Sequence, residues 1–132
     1  MYHFFGYLAR MKHIRRWGLM RNTRDENIQE HSLQAAMIAH ALAVIKNKLF
    51  GGTVDAERVM ALAVYHEVGE VITGDLATPI KYFNPEIKNA YKEIERVAED
   101  KLLRMLPDEL RGEFEPLVKQ REDDEAYAIV KA

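Results

Sequence analysis

Between Asn27 and Gly51-Gly52 the chain carries a full set of signals for one long helix, and no part of the sequence offers a strand pattern to compete with it. Asn27 followed three residues later by Glu30 has the form of a capping box, in which side-chain oxygens satisfy amides of the first helical turn. The helix so opened carries Ile28, Ala35, Ile38, Leu42 and Ile45 as its apolar positions and stops at the paired glycines. Further helices follow the same logic. Tyr2 to Met11 spaces Phe4, Phe5, Leu8 and Met11 for one face. A helix from about Asp55 to Gly74 turns Val59, Leu62, Ala63 and Val71 inward, and another from about Glu86 to Leu106 ends before Pro107. A short helix is expected around Asp108 to Lys119, and Asp123 or Asp124 opens a last one. Lys12 to Glu26 reads as a short helix running into a long loop, and Thr73 to Pro85, with two prolines, as a second loop. The fold class expected is all-α.

Length and charge narrow the function classes. A chain of 132 residues is read as a single domain over 1–132, able to bury roughly two thirds of its unfolded surface. Nineteen basic residues against 21 acidic ones give a net charge of -2, which offers a nucleic-acid polymer no overall attraction, although the first 24 residues are locally basic. Cysteine is absent, so neither a disulfide nor a thiolate ligand is available. No apolar run of about 18 residues suggests a membrane span, and the aromatic, soon charged N-terminus does not read as a signal peptide. A cytoplasmic location is the expectation. Ala126 to Ala132 reads as a helix without a closing signal, so the chain looks C-terminally cut.

The chemistry concentrates in Glu30-His31 and His66-Glu67-Val68-Gly69-Glu70. Imidazoles and carboxylates from neighbouring helices are ordinary ligands for zinc, cobalt or manganese, and a further carboxylate can handle the proton of an attacking water. On one continuous helix His66 and Glu70 share a face, and His31 reaches them if the two helices pack antiparallel. A His-Glu pair by itself also describes a surface ion pair, and Glu70 alone a solvated helix charge. Gly69 costs a helix interior about 1 kcal/mol, which suggests close approach, room for a ligand, or simple tolerance. His3, His13 and His40 read as structural or surface residues. Arg15-Arg16-Trp17 with Arg21 and Arg24 joins phosphate-matching guanidiniums to an indole, or is a basic loop anchored by the single tryptophan. Thr73 to Lys81 either rims a pocket, with Asp75 on a sugar hydroxyl and Thr78 and Lys81 on phosphate, or caps the next helix.

Four stretches in register carry a family resemblance: Ile14 to Asn22, Glu30 to Gln34, Tyr65 to Glu67, and Thr73 to Asn84. Together they resemble the bacterial 5'-deoxynucleotidases of the HD-domain phosphohydrolase superfamily, closest to the YfbR-type branch, over essentially the whole chain. The resemblance implies an HD-domain helical bundle that removes phosphate from deoxyribonucleoside 5'-monophosphates. It implies His31, His66 and Glu67 as metal ligands and Glu70 as the catalytic acid. Arg16 becomes the phosphate-orienting arginine and Trp17 the neighbour that disfavours a 2'-hydroxyl. Asp75 and the run Thr78, Pro79, Ile80 and Lys81 become substrate contacts. A homodimer and a single divalent ion are likewise implied, cobalt first, with manganese, copper or zinc as substitutes.

Two departures bear on activity. Glu67 stands where the family has aspartate, and its extra methylene moves the carboxylate by about 1.5 Å. The family's last aspartate ligand would fall after Ala132. The alternative reading is therefore a nucleotide-binding protein of the same fold with impaired catalysis. Missing later helices would also leave apolar surface exposed, favouring either a dimer or a destabilised fragment.

Overall fold

The computed structural model describes residues 3–16, 25–74 and 83–132. The N-terminal segment forms α1 (Phe4–Leu8), which tightens into a 3-10 turn over Ala9–His13. A long α2 (Ile28–Phe50) is followed by α3 (Ala56–Tyr65) and a one-turn α4 (Glu70–Thr73). Then come α5 (Pro85–Leu103), α6 (Asp108–Val118) and α7 (Glu125–Lys131). Among the described residues β pairing is confined to one isolated antiparallel bridge, Arg15 with Asn27.

The capping signals work as expected. Asn27 Oδ1 accepts from the Glu30 amide at 2.8 Å, and Asn27 Nδ2 donates to Glu30 Oε1 at 2.7 Å. Asp55 caps α3 and Asp124 caps α7; Asn84, not anticipated as a cap, caps α5 with Pro85 in its first turn. Gly51 closes α2 in the left-handed region at φ +70°, where a side chain is strained.

The face of α2 differs from expectation. Its buried positions are Ile28, Ser32, Ala36, Ala39 and Ala43, while Ile38, Leu42 and Ile45 are exposed by 55%, 40% and 45%. The contact face lies one residue further along, a rotation of about 100°. Alanines let α3 approach closely, and Val59, Leu62 and Ala63 fill the space they leave. The large aliphatic residues are thereby turned outward.

Two apolar clusters make the core. One gathers Phe4, Met11, Ile28, Val68, Val71, Leu102, Leu106 and Val118, joining the N-terminal segment to α4, α5 and α6. The other joins α2, α3 and α7 through the alanine face, Leu62 and Ala126. Asp124 accepts from Arg58 at 2.6 Å, and Lys46 pairs with Glu125, so charges also tie α7 to α3 and α2. His31 lies between Ile28 of the first cluster and Ala36 of the second. His66 and Glu67 lie between Ala63 and Val68. The candidate site therefore sits where the two clusters meet.

Candidate metal centre

The short connection over 51–55 folds α2 and α3 into an antiparallel pair, bringing the start of one helix to the end of the other. His31 hangs from the first turn of α2, its amide donating to the Asn27 carbonyl at 3.1 Å. The preceding chain is pinned alongside: Ile28 N–H donates to the Ile14 carbonyl at 2.8 Å, and Arg16 N–H to the Glu26 carbonyl at 2.7 Å. Arg16 Nη1 also donates to Glu26 Oε2 at 3.2 Å, and both side chains are largely buried.

One continuous helix through Gly74 is not what forms. The α-helix ends at Tyr65, and residues 66–69 are turns bonded at the tighter i to i+3 spacing before α4 begins at Glu70. His66 and Glu70 thus do not share one regular helical face, yet both line a cavity of about 70 Å³ with Glu67, Thr73, Glu95 and Glu99. Gly69 sits at this break rather than in a helix interior. A Cβ there would meet Glu99 Cγ at an ordinary 3.7 Å, so close approach does not require the glycine, which itself lines the cavity.

Three of the expected ligands converge. One ligand atom each from His31, His66 and Glu67 lies within 4.8 Å of the others. Glu67 Oε1 is 3.8 Å from His31 Nε2 and 3.5 Å from His66 Nε2. The two imidazole centroids are 5.4 Å apart. Ligands bound at roughly 2.1 Å to one ion lie roughly 3–4 Å apart, so modest side-chain adjustment would close the set.

Three observations test whether these residues fit an ion. His66 Nδ1 lies 2.5 Å from the Ala63 carbonyl, which only accepts, so Nδ1 carries the proton and Nε2 presents its lone pair. Glu67 Oε2 is buried with no hydrogen-bond partner among the described residues. Burial lowers the His31 pKa against the pull of Glu67, with Arg16 and His66 adding to the fall, which favours the neutral, ligating imidazole. Burial alone would raise the Glu67 carboxyl. With the imidazoles protonated, the hydrogen bond and charge of His66, with the charges of His31 and Arg16, hold it at about 2; with the imidazoles neutral, a bound cation would take over that role. An ionised carboxylate and two imidazoles suit a divalent ion, and the extra methylene of Glu67 has not carried its oxygens out of the cluster.

A larger cavity of about 320 Å³ opens beside the triad, lined by Gln34, Ile38, Leu42 and the end of α7. Arg16 lies close enough for its charge to act on His31 and Glu67. Trp17, Asp75, Thr78, Pro79, Ile80 and Lys81 lie outside the described residues.

A family model described as "5'-deoxynucleotidase YfbR-like" matches residues 3–132. The chain belongs to this YfbR-like family. A 5'-deoxynucleotidase of Vibrio cholerae is 62% identical over 98% of this chain and 67% of its own length. One from Klebsiella pneumoniae is 58% identical over 98% of this chain and 65% of its own. The chain thus spans about two thirds of the length of these curated relatives. An HD-domain phosphohydrolase from Listeria innocua superposes with a TM-score of 0.85 at 22% identity, covering 97% of this chain and 61% of that one. A "predicted metal-dependent phosphohydrolase" from Magnetospirillum magnetotacticum gives 0.69 at 27% identity, covering 97% and 65%. The YfbR-like chain has the HD-domain helical fold.

Two contributors escaped the sequence. Glu26 bonds Arg16, but its only sequence signal is its place beside the Asn27 cap. The Ala63 carbonyl orients His66, and a backbone atom has no sequence signal at all.

Proposed function

We propose that this YfbR-like chain is a metal-dependent 5'-deoxynucleotidase, converting deoxyribonucleoside 5'-monophosphates to deoxyribonucleoside and phosphate. The observation that carries the reading is the meeting of His31, His66 and Glu67 at the junction of α2 and α3. These three residues hold one divalent ion, cobalt first, with manganese, copper or zinc as substitutes. When bound, the ion supplies Lewis-acid polarisation of phosphate and water.

The protein's own groups divide the remaining work. Water attacks phosphorus, the bond from phosphorus to the 5'-oxygen breaks, and a proton must reach that oxygen. Glu70, on the cavity shared with His66 and Glu67, takes the proton of the water and returns it to the leaving group. Arg16, held by Glu26, pairs with the phosphate oxygens, joined by Lys81. Trp17 disfavours a 2'-hydroxyl, while Asp75 and Thr78 to Lys81 hold sugar and phosphate.

The test is phosphate release from dAMP, dTMP and AMP by metal-stripped protein with cobalt, manganese or zinc restored. Release from the deoxy substrates that depends on added metal is expected. Folded protein that releases nothing with any metal overturns the reading.

The protein works as a cytoplasmic homodimer with neither membrane nor nucleic-acid polymer as partner. In support, no helix among the described residues is long and apolar enough to cross a membrane. Ile38, Leu42, Ile45 and Leu49 leave an exposed apolar row along α2. Sedimentation equilibrium should return twice the chain mass, and a monomer at high concentration overturns the dimer.

A further inference from the structure

The end of α3 departs from helical hydrogen bonding, and the departure is met by a residue far along the chain. In a regular α-helix the His66 amide would donate to the Leu62 carbonyl. Here it donates to the Ala63 carbonyl at 3.5 Å, the same oxygen that receives His66 Nδ1. The Leu62 carbonyl belongs to a residue only 1% exposed, where an unmet acceptor is disfavoured. Gln120 Nε2, just after α6, donates to it at 2.8 Å and places its second hydrogen on the Leu117 carbonyl at 2.7 Å. Two acceptors at one end of the amide fix which way it faces. Gln120 Oε1 is buried with no hydrogen-bond partner among the described residues. The side chain thus leaves its own oxygen unmet while both donors are used.

We propose that Gln120 is a positioning residue for the metal centre: by occupying the Leu62 carbonyl it keeps the His66 peptide in its tight turn and His66 Nε2 aimed at Glu67 and His31. Without that donor the vacated carbonyl draws the His66 amide back to i−4 bonding. The backbone then rotates, and the bond from His66 Nδ1 to Ala63 is lost. The inference rests on the metal-centre reading above, and two measurements separate their failures.

The first measurement titrates metal-stripped wild type, Gln120→Met and Gln120→Glu with cobalt, read by visible absorption and calorimetry beside thermal melts of the metal-free proteins. Methionine keeps the shape and removes the donor together with the unmet oxygen, so the fold should hold. Cobalt affinity should fall about tenfold, the lower end of losses from outer-shell changes at metal sites. Gln120→Glu sets a carboxylate against two carbonyls and should lose at least as much. Unchanged affinity in Gln120→Met, with or without a lower melting temperature, overturns the proposal and leaves the metal centre standing. The second measurement needs no metal. Long-range proton–nitrogen correlation spectra at mildly alkaline pH should show His66 protonated at Nδ1 in wild type and a mixed tautomer in Gln120→Met. The same tautomer in both overturns the proposal. A wild type that binds no cobalt overturns the metal-centre reading, while the spectra still decide whether Gln120 sets His66.

Discussion

Glu67 meets two opposing demands. Burial works against its ionised form, and the two histidines when protonated, with Arg16, work for it more strongly, holding the carboxyl at about 2. One oxygen faces both imidazoles, and the other is buried without a hydrogen-bond partner among the described residues. With the imidazoles neutral, a buried carboxylate that has one oxygen unpartnered is costly without an ion and natural beside a cation. Glu67→Gln keeps the volume and removes the charge. It should weaken cobalt binding by at least about a hundredfold, beyond the losses usual for outer-shell partners, with the helical circular dichroism unchanged. Equal cobalt affinity in calorimetry would remove Glu67 from the ligand set. Ligating side-chain types alone left a surface ion pair open; the triad was named from the sequence because the stretches around His31 and His66 resemble a known family. Its carbonyl and amide supports were not, because any residue supplies the first and the second acts across 58 positions, from Gln120 to Leu62.

At the scale of the element, the Asn27 cap and the Gly51 stop were read correctly and helix faces less so. Asn27 and Gly51 act through their own local chemistry, which the sequence displays, whereas Asn84, the cap of α5, was not anticipated. The face of α2 is instead decided by its partner: α3 selects Ala36, Ala39 and Ala43 because small residues permit close packing, and the larger aliphatics one position earlier point away. The break at 66–69 was equally hidden, since His66 to Glu70 has good helical periodicity and the tighter i to i+3 bonds that replace it have no sequence signal. The two glycines bordering these helices separate local strain from tolerance. At Gly69, with φ -59° and ordinary contact for a Cβ, alanine lowers the entropy of the unfolded chain and should stabilise by about 0.4–1 kcal/mol. At Gly51, with φ +70°, alanine should destabilise by about 1–2 kcal/mol. Denaturant melts of the two variants should move in opposite directions, and a destabilised Gly69→Ala would mean that the break itself requires glycine.

Across the whole molecule, two apolar clusters meet at the triad, so the charges near that junction feel both solvent exclusion and one another. Glu99 on α5 shows the consequence. Burial, with the charges of Glu95 and Asp100 adding to it and Lys119 opposing, raises its carboxyl to about 7. The folded state therefore holds a proton that the unfolded chain releases near the ordinary carboxylate value of 4.5. Below that value both states are protonated and Glu99 is neutral to stability. As pH rises from 4.5 to about 7 the folded state binds more protons than the unfolded one, so its stability falls, and above about 7 the whole penalty is present. Lys119 pairs with Asp100 nearby, and Glu70 lines the cavity that Glu99 shares with Glu95, so the penalty belongs to the junction rather than to one residue. Glu99→Gln should accordingly raise the melting temperature of the metal-free protein in mildly alkaline buffer, with the gain shrinking as pH is lowered toward 4.5. A gain of equal size at both ends of that range would trace the effect to packing, and the absence of any gain would mean that water reaches the Glu99 carboxylate freely.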